Sequence, residues 1–133
     1  TTFWQELSED KADYAYEKGK WTLKQMLQHI IDTERVFGYR MLLIARESEP
    51  QLQGFNHDRY ALDAGAEDRD WSDILAEYLS QRNSIMHLVA SFKAEAFRKE
   101  GVMGEQRINL AAIAWVIAGH DLHHQRIVRE RYL

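Results

Sequence analysis

Apolar residues recur every three to four positions over three long stretches of this chain, a period that gives an α-helix one buried face and that a strand cannot use. The first stretch runs from Thr22 through Met26, Leu27, Ile30, Phe37, Met41 and Ile44, and Thr22 and Gln25 have the spacing of a capping box. The second begins near Asp70 or Ser72 and sets Leu75, Tyr78, Leu79, Ile85, Met86, Val89 and Phe92 on one face, interrupted by Arg82. The third follows Asn109, a plausible N-cap, and reads Ile113, Ile117, His120, His124, then Ile127 or Val128. Pro50, Gly54, Gly65, Gly101 and Gly104 separate the stretches, and no alternating strand-like run is visible. The expected fold class is all-α.

Between the first two helices, residues 48–70 form a polar connection whose length suits a crossover rather than a tight turn, with one helical turn expected around Tyr60 to Leu62. Near the N-terminus, Phe3-Trp4-Gln5-Glu6-Leu7 reads as the end of another helix. At 133 residues the chain is expected to be one domain, residues 1–133, large enough to bury a core without covalent staples.

Cysteine is absent, which removes disulfides, thiolate zinc sites and cysteine nucleophiles and agrees with a reducing, cytoplasmic setting. Acidic and basic residues interleave to a net charge of −4, so no basic face exists to follow a phosphate backbone and direct nucleic-acid binding is disfavoured. No apolar run approaches the ~20 residues needed to span a bilayer, and no basic-then-apolar secretion signal opens the chain, so no membrane partner is expected.

Function is signalled by the two histidines that take seam positions on the last stripe. Residues i and i+4 share a helix face, so His120 and His124 can point at one atom. Buried without partners they would destabilise the core; together they suit one divalent metal ion. A catalytic mononuclear site usually takes three protein ligands, and His29, between Met26 and Phe37 on the first stripe, is the best third. His57 lies in the crossover and His87 off its stripe, so both fit less well. A lone helical histidine beside an apolar face is, by contrast, most often satisfied by a carbonyl or water.

Asp32 could supply a fourth oxygen ligand or fix the tautomer of His29. His123 points about 100° away from its neighbours' face and reads as a surface or dimer-contact residue. The run His120-Asp121-Leu122-His123-His124 imitates the zinc-protease pattern H-E-x-x-H, but aspartate is a methylene short for the general base, and Asp121 is expected to be solvated or to pair with a helix. Arg82 on an apolar stripe needs a carboxylate, a substrate anion or a partner subunit, an ion pair being the more frequent outcome. Trp21, Trp71 and Trp115 read as core or interface anchors, and Phe55, His57 and Tyr60 as loop-packing residues that could wall a pocket.

Four segments, Gly19-Lys20-Trp21-Thr22, His29 through Arg35, Leu52-Gln53-Gly54-Phe55 and Ile117 through His124, together resemble the DinB-like (DinB/YfiT-like) metalloproteins over roughly Leu7 to Leu133. The resemblance implies an up-down-down-up four-helix bundle with a long crossover, commonly dimeric, and a divalent metal on three histidines that map onto His29, His120 and His124. Of the family's first helix only Thr1 through Leu7 precedes the Gly-Lys-Trp segment here, so the expectation is either a trimmed chain or a bundle of three long helices and an incomplete fourth, whose open flank a homodimer would cover.

Relatives of this kind include thiol-dependent S-transferases, isomerases and metal-dependent hydrolases, so the resemblance implies zinc or nickel, a small-molecule substrate and possible use of a low-molecular-weight thiol. Such a metal lowers the pKa of a thiol or water at neutral pH. Asp32, Tyr60 and Arg82 are the weaker candidates for catalytic roles, with Glu34 beside them. The competing expectation is a stress-related bundle that acts through association, with a structural ion or none.

Overall fold

The computed structural model describes residues 2–133. Three long helices carry it: α2 (Leu23–Arg46), α4 (Trp71–Ser91) and α5 (Leu110–Arg131), preceded by a short α1 (Thr2–Gln5) and joined through α3 (His57–Asp63). The start of α2 is fixed by the expected capping box: the Thr22 hydroxyl accepts from Gln25 N at 3.2 Å, and the Gln25 side chain accepts from Thr22 N at 3.0 Å. Asn109 caps α5 by accepting from Ala112 N at 2.8 Å. The crossover is more helical than the single turn expected, because Asn56 accepts from Arg59 N at 3.0 Å and starts seven residues of helix.

One expectation fails outright. Glu100–Met103 (β1) and Gln106–Asn109 (β2) form an antiparallel hairpin in register Glu100↔Asn109 to Met103↔Gln106. Gly104 sits in its turn at φ +62°, a conformation open to glycine at little steric cost. Leu52 N donates to the Val102 carbonyl at 2.7 Å and Val102 N to that of Pro50 at 2.9 Å, so the hairpin also ties down the start of the crossover.

Helix α2 packs against both α4 and α5, and Gly38 allows the first contact to be close: a Cβ there would lie 2.6 Å from Ile85 Cδ1. Two apolar clusters result. One gathers Trp4, Leu23, Leu27, Ile31, Trp71 and Tyr78; the other gathers Met41, Ile44, Ile85, Leu110, Ile113 and Ile117. Each fully buried Leu or Ile among them contributes roughly 1.5–3 kcal/mol by leaving water. Between the clusters α2 and α5 carry a buried polar band of His29, Glu34, Asp121, His124 and Gln125.

One stripe assignment changes, and one alternative is resolved. Met86 is 61% exposed, while Ile74 is fully buried in its helix; on α5 the seam continues through Val128, with Ile127 only half-buried. Of the tryptophans expected as core or interface anchors, Trp71 is core, whereas Trp115 is 78% exposed and so not a core residue. No helix of the described residues is long and apolar enough to cross a membrane.

Candidate metal centre

His29 on α2 and His120 and His124 on α5 converge. Nε2 of His29 lies 2.9 Å from Nε2 of His120, which lies 3.1 Å from Nε2 of His124. Among the described residues this is the one group of three potential metal ligands that comes together in this way, with donor atoms within 4.8 Å of one another. His29 and His124 are buried and His120 half-buried.

Hydrogen bonding alone does not satisfy this arrangement. An imidazole Nε2 carries either one proton or one in-plane lone pair, so His120 Nε2 can make a good hydrogen bond to only one of its two neighbours. The remaining contact is then either a misdirected share of the same proton or lone pair, or a clash of like groups, unless a cation lies among them. Zinc–nitrogen bonds of about 2.0–2.1 Å at tetrahedral angles space three nitrogens by roughly 3.3 Å, close to the observed separations. The donor set therefore fits a late first-row divalent ion.

Electrostatics agree. Burial, with His120, His124 and His57 adding to it, lowers the pKa of His29 to about 3. Burial, followed by His120 and His123, lowers that of His124 to about 4. His120 is lowered too, mainly by burial. At neutral pH all three rings are neutral and offer lone pairs.

The triad forms the floor of an open pocket of about 420 Å³ walled by Trp21, Phe37, Phe55 and His57. The Trp21 ring is 4.7 Å from that of His29, and the His57 ring is 5.8 Å from it. Phe55 and His57 thus do wall the pocket, whereas Tyr60, 46% exposed, packs on Phe55 at 5.2 Å and lines a neighbouring cavity. His123 is exposed on the pocket's edge. Thr33, one turn beyond His29, was not among the sequence candidates: it lines the pocket, and its hydroxyl is buried without a partner.

Other candidates lie elsewhere. Asp32 is outside the histidine group and belongs to the polar seam between α2 and α4, accepting from Gln28 at 3.2 Å and Arg35 at 3.4 Å. Burial raises its pKa. His87 is exposed on α4, away from the pocket.

Asp121 is neither solvated nor a simple helix-pairing carboxylate. It is 4% exposed and accepts from Trp4 Nε1 at 2.8 Å, Tyr78 Oη at 2.9 Å, Arg82 Nη2 at 3.0 Å and Gln125 Nε2 at 3.3 Å. Arg82 also donates to Glu34, so the cation that breaks the α4 stripe joins two buried carboxylates. Burial pushes Glu34 up to about 7 against the pull of Arg82. This network leaves Arg82 paired within the protein and holds α4 and α5 in register behind the histidines.

The DinB superfamily model matches residues 1–128. This chain belongs to the DinB superfamily. Among solved structures, this DinB chain is similar to YfiT from Bacillus subtilis, described as a probable metal-dependent hydrolase with an unusual four-helix bundle topology. The TM-score is 0.76 and the identity 18%, over 97% of this chain and 77% of YfiT, a likeness that establishes the shared bundle fold. No curated protein matches the DinB chain.

Proposed function

We propose that the protein is a metal-dependent enzyme in which His29, His120 and His124 hold one divalent ion, zinc or nickel. Its reaction is hydrolysis, or transfer of a low-molecular-weight thiol, on a small electrophile. The observation that carries this reading is the convergence of three neutral imidazole nitrogens at the floor of an open pocket. When bound, the ion lowers the pKa of a thiol or water and so supplies a nucleophile at neutral pH.

The chain's own residues do the rest. Trp21, Phe37 and Phe55 give the pocket apolar walls that exclude bulk water from a bound electrophile. The free hydroxyl of Thr33 offers a hydrogen bond to a substrate oxygen, and His57, exposed on the wall, is placed to take or give a proton. An ion held only for stability favours a closed set of four ligands, and among the described residues no carboxylate joins the three histidines. That favours catalysis over a structural role.

The reading further takes residues 1–133 as one domain with up-down-down-up helix order, working in the cytoplasm as a homodimer. Trp115 and Leu122, seven residues apart on one face of α5, are 78% and 63% exposed, which supports association through that face.

The test is turnover by zinc- and nickel-loaded protein of a chromogenic ester in water and of a chloronitrobenzene with a small thiol. Activity with either, falling to background in His120→Ala, is expected. Full metal loading with no turnover of any electrophile in a broader panel of these two classes would leave the ion a structural one.

A further inference from the structure

Beyond the histidines, the same face of α2 carries a buried cation that no carboxylate neutralises. His29, Thr33, Phe37 and Arg40 follow one another at helical spacing, which places Arg40 about 16 Å along the axis from His29. Arg40 is 6% exposed. Its guanidinium rests on Phe37 at 4.9 Å and Phe55 at 5.7 Å, and Nη2 donates to the Gln53 carbonyl at 2.7 Å. Its Nε is buried with no partner. Burial alone acts on its charge and lowers its pKa.

The other arginines along the α2–α4 seam are treated differently. Arg82 pairs with Glu34 and Asp121, Arg69 with Asp73 and Glu77, and Arg35 with Glu77 and Asp32. A buried cation without a countercharge is costly, and an anion from outside the chain would offset that cost.

A cavity of about 480 Å³ provides the place. Arg40 lines it together with Arg35, Tyr39, Gln53 and Tyr60, and no aspartate or glutamate stands in its wall, in a chain whose net charge is −4. The cavity shares Phe55 with the histidine pocket. A second, apolar cavity of about 170 Å³ reaches Arg40 from Phe37 and Val116, which also line the histidine pocket.

We propose that Arg40 binds an oxyanion, a carboxylate or phosphate, carried by the small molecule whose reactive end lies against His29, His120 and His124. This rests on reading the histidine pocket as the reaction centre. The guanidinium is the side chain whose planar fork matches such anions, and its aromatic supports hold it in orientation. The substrate class is then an elongated acid whose charged group is remote from its electrophilic carbon.

The test titrates the full chain, zinc-loaded and metal-free, with inorganic phosphate and separately with glutarate, against chloride at equal ionic strength, following the Arg40 Nε–H resonance and the melting temperature. A saturable shift with at least one probe is expected, and which probe binds tells phosphate from carboxylate recognition. Arg40→Gln is expected to weaken binding at least tenfold, and Arg40→Lys to keep part of it. Arg40→Met is expected to melt no lower than wild type, since a lone buried charge has been replaced by an apolar chain of similar length.

No saturable response in wild type, or an equal response in Arg40→Gln, overturns the proposal. So does a marked fall in the melting temperature of Arg40→Met with anion binding absent in wild type, which would make Arg40 a pin for Gln53. Anion binding should persist in His120→Ala. Anion binding without metal binding therefore counts against the metal centre alone, and metal binding without anion binding counts against Arg40 alone.

Discussion

The indole of Trp4 donates a 2.8 Å hydrogen bond to the carboxylate of Asp121, the residue that follows His120 on α5. The N-terminal segment is thereby fastened directly to the helix that presents two of the three histidines. Tyr78 and Arg82 reach the same carboxylate from α4, so three separate parts of the chain meet at one buried anion.

Asp121→Ala leaves Arg82, Tyr78 and Trp4 without their shared acceptor and is expected to destabilise the fold by about 3–5 kcal/mol, the range for breaking a buried charged network. Trp4→Phe removes one charge-assisted bond and should cost about 1.5–3 kcal/mol. Urea denaturation of both variants with zinc and with chelator checks this. A loss below 1 kcal/mol in Asp121→Ala would mean that the network does not hold α5.

Acid should destabilise the metal-free protein. The folded pKa values of His29 and His124 lie at about 3 and about 4, below the ordinary 6.5, and that of His120 is also lowered. Between those limits the unfolded chain binds more protons than the folded one. The stability these groups contribute is present above pH 6.5 and lost as pH falls through their folded values. Glu34, raised from 4.5 to about 7, works in the opposite sense, its contribution being lost as pH rises toward 7. The histidine contribution is therefore isolated by comparing melting curves of metal-free wild type and His29→Ala. Their difference in slope between pH 6.5 and pH 4 should be positive, with wild type the more acid-sensitive.

Close approach of α2 and α4 depends on Gly38. A Cβ there meets the end of the Ile85 side chain at 2.6 Å. Gly38→Ala in the wild type sets a helix-propensity gain of up to ~1 kcal/mol against an overpacking loss of about 1–3 kcal/mol. In an Ile85→Ala background the clash is gone, and the same substitution should stabilise relative to Ile85→Ala alone. A double-mutant cycle by chemical denaturation reads the coupling, expected at about 1 kcal/mol or more; strict additivity would show that the helices do not meet there.

Much of this was legible in the sequence because it is local. The periodic stripes define α2, α4 and α5, and Thr22 and Asn109 cap their helices through hydrogen bonds spanning three residues. His120 and His124 converge through i,i+4 spacing, and His29 joins them from the facing stripe. The rest depends on distant partners. Asp121 looks solvated until Trp4, Tyr78 and Arg82 arrive from 117, 43 and 39 residues away. The β1–β2 hairpin escapes notice because neither four-residue strand alternates cleanly between buried and exposed positions. Asp32 accepts from Gln28 and Arg35, one turn away on its own helix, partners that the apolar stripe does not single out.

The central claim is that His29, His120 and His124 hold one ion, and elemental mass spectrometry of purified untagged protein after zinc or nickel loading and dialysis against a weak chelator tests it most directly. Close to one equivalent per chain in wild type, falling below a tenth in each of His29→Ala, His120→Ala and His124→Ala, while Asp32→Ala keeps its metal, is the predicted result. Equal metal content in wild type and the three histidine variants, or none in wild type after loading, would contradict it.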